Sequence, residues 1–330
     1  MTIIEIAKKL GVSTSTVSRA LNNSYEISEK TRQRINAFVK EVNFHRNPQA
    51  ASLKRGAAKT IAVIVPDISN YFFTLALNAI EDIANDNKFH VLIYQTHDNH
   101  DKEVEILNEL YNGRVDGVII SVAYSINKDF THIKNLSNLI PVVFFDRVID
   151  NSNIPSITGN DYESGYKATE HLIKNKCQSI VFIGISQQLS VTSARLKGYT
   201  DALVKYGLPL QKENILLCKN EAVAEREITN TLLQISPDGI FSTVERYTLL
   251  LYSQCHKLNI PIPDRIKIIS YFNSPIAALL SPPLSSIEHP ASAIGKAAAE
   301  SLFQKLKKKK NFEESSKVFD CVFYFRKSSQ

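Results

Sequence analysis

Residues 3–22 read IIEIAKKLGVSTSTVSRALN, and this stretch decides how the chain begins: two short helices joined by a tight turn. Thr2 is placed to cap the first helix, Glu5 completes a capping box, and Ile3, Ile6, Ala7 and Leu10 recur on one face. Gly11 ends that helix, because glycine enters the left-handed conformation of a helix C-terminus cheaply; Ser13 is then a good N-cap for the next. On the second helix Val17, Ala20 and Leu21 face inward, which leaves Thr14, Ser15, Thr16, Ser18 and Arg19 outward. Hydroxyl and guanidinium donors in that pattern gain little from an apolar partner but suit phosphates and base edges in a DNA groove. The alternative is a plain helical hairpin inside a larger domain, and charge argues against it.

A third helix follows, capped by Ser28, with Thr31, Arg32 and Arg34 in its first turns and Ile35, Phe38, Val39 and Val42 closing a small three-helix core. The chain's 39 Lys plus Arg exceed its 33 Asp plus Glu by six, and that whole excess lies at the front. Residues 1–58 hold ten basic groups against four acidic ones, whereas the remaining 272 residues carry 29 of each. A basic small domain on an electroneutral body is the footprint of polyanion binding, since neutralised phosphates release their counterions.

GVSTSTVSRALN followed by ISEKTRQRI resembles the DNA-binding head of the LacI/GalR family of bacterial transcription regulators. The likeness continues into FHRNPQAASLKRG, residues 44–56, which is similar to that family's hinge. Here Asn47 can cap, Pro48 suits a first helical position and Gly56 ends the run. A helix of about two turns is too short to stand alone, so the hinge is expected to order only on DNA with a partner subunit. The resemblance implies that Leu53 wedges between base pairs in the minor groove and kinks the duplex, with Asn47, Ala50 and Lys54 beside it; packing of Leu53 on the body is the alternative. Arg46 stands where the family usually has proline and Ala51 where it often has arginine, so one phosphate contact is lost, with Lys54 placed to compensate.

From Lys59 the pattern changes to apolar runs separated by helical segments. IAVIV (61–65), VLIYQ (91–95), GVIIS (117–121) and VVFFD (142–146) form one set; SIVFIG (179–184), ILLC (215–218), GIFS (239–242) and IKIIS (266–270) form another. Alternation of this kind implies two parallel sheets with crossover helices. The expected fold is therefore α/β: an all-α helix-turn-helix head (1–46), a hinge helix and linker (47–58), and a two-lobed periplasmic-binding-protein-like body (59–330). The N-lobe is placed at about 59–158 and 289–318, the C-lobe at about 159–288 and 319–330. A ligand cleft belongs between the lobes, at the carboxyl ends of the strands.

The resemblance assigns effector-binding positions to that cleft. Asp67, Ser69, Tyr71 and Phe72 lie in PDISNYFF after the first strand, with Tyr71 where proline is usual. Asp146 and Arg147 follow the fourth strand, and Asn160 and Asp161 open the next helix at the lobe boundary. Arg195 in RLKGY matches a family arginine that holds effector hydroxyls or carboxylates, work suited to a planar five-donor group. Two positions depart from the family: Phe272 replaces an acid that grips sugar hydroxyls, and Val244–Glu245 replaces Asn-Asp. An aromatic offers a stacking face in place of an acceptor, which points to a larger or flatter ligand. A decayed effector site, or a partner protein in place of a small ligand, are the alternatives.

Enzymatic readings find no support: no GxxxxGK[ST], GxGxxG after a strand, HExxH or GxSxG occurs. Cys177, Cys218, Cys255 and Cys321 lie far apart with no CxxC spacing, so they read as buried free thiols of a reducing compartment, and no metal or cofactor is expected. His171 and His289 read as hydrogen-bonded structural histidines, and the Lys307–Lys310 run as a solvated helix end. A start directly on a helix, with no apolar leader and no bilayer-length run, places the chain in the cytoplasm. The expected function is a regulator, in first place a repressor, that binds double-stranded operator DNA of inverted-repeat form as a homodimer and answers a small sugar-like effector. An activator of the same family, or a soluble sensor with a vestigial head, are the rival readings.

Overall fold

A computed structural model of the chain describes residues 1–21, 24–42, 44, 58–111, 113–125, 129–307 and 316–330. It divides into two compact units, Met1–Ala58 and Lys59–Gln330. The first holds helices α1 (Ile3–Leu10), α2 (Thr14–Leu21) and α3 (Glu29–Glu41). The Thr2 side chain accepts from the Glu5 N–H while Glu5 accepts from the Thr2 N–H, and Gly11 ends α1 at φ 64°, a left-handed cap any Cβ would strain. Ser13 accepts from the Thr16 N–H at 3.1 Å and Ser28 caps α3. Ile6, Ala7, Val17, Ala20 and Ile35 form the buried centre, sealed by Leu10, Phe38 and Val39. The expected hinge helix and Asn22 lie outside the described residues.

The second unit carries two six-stranded sheets. In chain order the strands are β1 (Thr60–Val65), β2 (His90–Gln95), β3 (Gly117–Ile120), β4 (Val142–Phe145), β5 (Ser156–Gly159), β6 (Ile180–Gly184), β7 (Ile215–Leu217), β8 (Gly239–Ser242), β9 (Lys267–Tyr271), β10 (Ser285–Glu288), β11 (Lys317–Phe319) and β12 (Val322–Tyr324). The N-lobe sheet runs β11-β5-β4-β3-β1-β2 and the C-lobe sheet β12-β10-β9-β8-β6-β7. Every pair is parallel except β10 with β12. Near-continuous burial of β1, β3, β4, β6 and β8 is what parallel strands covered on both faces require.

On one face of the N-lobe sheet lie α4 (Tyr71–Asp86) and α11 (Ala291–Leu306), which bury Phe73, Ile80, Ile294 and Leu302; α5 (His100–Leu110) and α6 (Thr131–Ser137) cover the other with Ile106, Leu110 and Leu136. The C-lobe sheet is covered by α9 (Glu221–Gln234) and α10 (Glu245–Lys257) on one face and by α7 (Asp161–Lys174) and α8 (Ser190–Lys205) on the other. Helices α7 and α8 meet backbone to backbone: a Cβ on Gly165 would sit 2.4 Å from the Arg195 carbonyl oxygen, and one on Gly198 would sit 2.2 Å from that of Tyr162. That close crossing sets Arg195 beside the start of α7. All four cysteines are buried and free.

Candidate functional site

The chain crosses between the lobes after β5, after β10 and after β11, and polar side chains tie these crossings together. The Asn160 amide donates to Asp320 at 2.7 Å, while its oxygen accepts from the Cys321 N–H at 2.9 Å and the Ser164 hydroxyl at 2.8 Å. Asp161, at the first position of α7, accepts from Arg195 Nε at 2.7 Å and lies 3.1 Å from His289 Nε2. Asn273 clasps the backbone of His289 at both its N–H and its carbonyl. The His289 ring meets Phe72 of the N-lobe and Tyr271 of the C-lobe edge-on, and the Arg195 guanidinium lies 3.6 Å from the centre of the Tyr271 ring.

Over this floor lies a cavity of about 600 Å³, open solvent at its mouth included. Phe72, Asp146, Arg147, Arg195, Glu245 and Phe272 are among the residues of its wall. An adjoining compartment of about 680 Å³ on the same basis adds Asp67, Ser69, Asp98 and Arg246. At the rim the lobes touch through Arg246 and Asp67 at 3.5 Å and through the Val148 N–H, which donates to Ser190 Oγ at 3.0 Å.

Three expected cleft positions lie behind the wall. Tyr71 is the first residue of α4, next to its cap Asn70, and the helix turns Phe72 and Phe73 to the cavity instead. Asn160 and Asp161 have their polar atoms engaged by the crossings and by Arg195. Phe272 is only 1 % exposed and belongs to the C-lobe core with Ile268 and Leu284, so one edge of a core ring, rather than a free stacking face, meets the cavity. Reading along the chain did not single out Asn70, Asp98, Thr192, Thr243, Tyr271 or Asn273 for the wall, and took His289 as structural. His289 is structural and lines the cavity as well. The signal that could have placed it is its position directly after a strand at a lobe crossing.

The electrostatics follow from burial. Burial alone would raise the Asp161 carboxyl, but Arg195 and then His289 override it and hold the group below its ordinary value. Burial opposes the His289 imidazolium, yet Cys321 and Asp161 hold its pKa up at about 10. Asp146 behaves in the opposite way: burial raises its carboxyl against the pull of Arg147, and its backbone sits at φ 59°, a left-handed conformation held on a non-glycine residue. Burial also raises Glu245, against the N–H groups of Ser274 and Asn273. The wall thus offers guanidinium groups, carboxyl groups and apolar rings.

These shifts have a pH consequence. A depressed folded-state carboxyl contributes stability that is full above the unfolded aspartate pKa of about 3.9 and is lost as pH falls through the folded value. The body is therefore expected to lose stability below about pH 4, offset in part by Asp146. Asp161→Asn should flatten this limb of a urea-melt pH series; an unchanged limb would show that the carboxylate lies elsewhere.

A helix-turn-helix head on a two-lobed, periplasmic-binding-type body defines the class: a DNA-binding protein governed by a ligand cleft. The family model for bacterial regulatory proteins of the lacI family matches residues 2–47, and that for the periplasmic binding proteins and sugar binding domain of the LacI family matches residues 58–328. The chain belongs to the LacI family, and is a DNA-binding regulator with an effector cleft rather than an enzyme. It is 30% identical over 297 residues to catabolite control protein A of Staphylococcus xylosus, covering 89% of each chain. The ribose operon repressor of Halalkalibacterium halodurans is 29% identical, over 93% of this chain and 91% of that one. Among solved structures, a periplasmic binding protein/LacI transcriptional regulator from Alkaliphilus metalliredigens complexed with D-xylulofuranose is 27% identical and superposes with a TM-score of 0.72, covering 82% of this chain and 99% of that one. No helix among the described residues is long and apolar enough to cross a membrane.

Proposed function

We propose that the protein is a transcriptional repressor that binds an inverted-repeat operator as a homodimer and is switched by a sugar or sugar derivative in the interlobe cleft. The observation that carries this reading is the exposed row Thr14, Ser15 and Arg19 on α2, within the first 58 residues that hold the chain's whole positive excess. These three read base edges, while Thr16, Ser18 and Asn22 position on phosphates. Arg19 is paired with Glu26 at 3.0 Å, but both side chains are about half exposed (55% and 47%), so the pair is weak and exchanges readily for a guanine edge. One such helix reads only a few base pairs, and pairing two across a two-fold axis supplies the rest. Asn47, Ala50, Leu53 and Lys54 engage the minor groove at the centre of the site.

The polar wall around Arg147, Arg195 and Asp146 supports a sugar-like effector, as do the relative named for a ribose operon and the structure holding D-xylulofuranose. Effector bound beside the Asp67–Arg246 and Ser190–Val148 contacts changes the angle between the lobes. DNA affinity and effector affinity are then coupled, and the coupling is reciprocal.

An anisotropy titration of the dimer against genomic fragments tests the proposal. The expected result is a complex that resists competitor DNA and weakens steeply with salt. No binding at low salt would leave the sensor with a vestigial head as the reading. Leu53→Ala is expected to keep non-specific binding but to lose operator bending, read by the circular-permutation gel-shift pattern; a variant that bends the operator as the parent does would remove Leu53 from the groove. A thermal-shift screen of sugars, oligosaccharides and nucleosides reads the effector class.

A further inference from the structure

Outside the effector cavity, one group of side chains among the described residues has the chemistry of a metal site. His100 opens α5, and Glu103 stands three residues later on the same helical face. His132 arrives from the first turn of α6. One ligand atom from each of the three lies within 4.8 Å of the other two. Glu103 is fully buried and held at both oxygens: Oε2 accepts from the Ala123 N–H at 2.6 Å, and Oε1 lies 2.9 Å from His132 Nε2. The His132 side chain is 8% exposed. His100 packs edge-on against the His132 ring, and its Nδ1 is buried with no hydrogen-bond partner among the described residues.

That last atom is the anomaly. A buried polar nitrogen without a partner is disfavoured by roughly 1–3 kcal/mol, and native proteins keep few of them unless the atom has another task. Two imidazoles and one carboxylate are a standard ligand set for zinc, with a fourth tetrahedral position left to water. Ligand atoms around zinc stand on the order of 3.3 Å apart, given bonds of about 2.0–2.2 Å. His132 Nε2 and Glu103 Oε1, 2.9 Å apart, have to open slightly to reach that spacing, and His100 has to turn toward them.

We infer that His100, Glu103 and His132 form a binding site for a zinc-class divalent cation. On binding, the metal takes the place of the hydrogen bond between His132 Nε2 and Glu103 Oε1. The Ala123 N–H bond fixes the carboxylate and serves as the supporting shell that orients a ligand. Reading along the chain pointed to no metal because the third ligand comes 29 positions after Glu103, with none of the spacing of a contiguous zinc motif.

The test is a titration of the metal-free full-length protein with cobalt(II), followed by its visible absorption, and with zinc, followed by thermal shift. Wild type is expected to bind one equivalent with a tetrahedral cobalt spectrum and to melt at a higher temperature with zinc. His100→Gln and His132→Gln are each expected to weaken binding by about tenfold or more. His132→Gln retains a donor toward Glu103, and His100→Gln removes no hydrogen bond made by Nδ1, so both should fold; if His132→Gln does not, His100→Gln decides alone. Absence of the cobalt band in wild type overturns the site. So does unchanged binding in His100→Gln, which would assign the metal to other histidines.

Discussion

Arg195→Met is expected to unfold the body at a distinctly lower temperature and to abolish the response to effector. The guanidinium pairs with Asp161 at 2.7 Å, donates to the Thr243 carbonyl at 3.2 Å, lies over the Tyr271 ring and lines the cavity. Both charged side chains are less than a tenth exposed, so removing Arg195 leaves the buried Asp161 with His289 as its one charged partner among the described residues. Breaking a buried pair in this way typically destabilises by about 3–5 kcal/mol, which for a unit of this size corresponds to roughly 6–15 °C in melting temperature. Arg195→Met/Asp161→Asn should recover part of that loss, because the buried carboxylate is gone along with its guanidinium, yet should still fail to bind effector. Calorimetric melts with a ligand titration separate the two roles. A single variant that melts with the wild type would show that the pair contributes no net stability, and a double variant that binds effector normally would remove Arg195 from recognition.

The second large effect concerns DNA. Arg19→Ala is expected to lower operator affinity by about 1–3 kcal/mol for each half-site, so roughly 2–6 kcal/mol for a dimer. Non-specific binding should change little, since residues 1–58 keep nine other basic groups. Operator and scrambled duplexes titrated side by side give the ratio directly. If that ratio survives within about twofold, the base-reading role belongs to another residue.

The head was legible almost residue by residue, because capping and helical periodicity are local: Thr2, Glu5, Gly11, Ser13 and Ser28 each do what their neighbours along the chain require. The long apolar strands were legible for a related reason, since burial on both faces leaves a continuous signature. Strands β5 (SITG), β10 (SSIE), β11 (KVF) and β12 (VFY) were not, being short and in part polar. Their extended state comes from partners far away in the chain, as when Val318 pairs with Thr158. The cavity wall shows the same division. Arg147, Arg195 and Glu245 could be located by resemblance, whereas Asp98 and Thr192 enter only because folding brings loops from several strand ends together. Tyr71 fails for want of one helical position: the cap at Asn70 sets the phase of α4 and turns Phe72 and Phe73 inward.

Strands β11 and β12 complete different sheets but are separated in the chain only by Asp320 and Cys321. Asn160 grips both of those separating residues. In the time order of synthesis, each lobe therefore waits for the same short stretch, and neither can mature on the ribosome ahead of the other. A chain halted before residue 317 would carry an open edge beside β5 and another beside β10, two templates for pairing with a neighbouring nascent chain. The last of the segments that join the lobes is thus also the one that covers both of these edges.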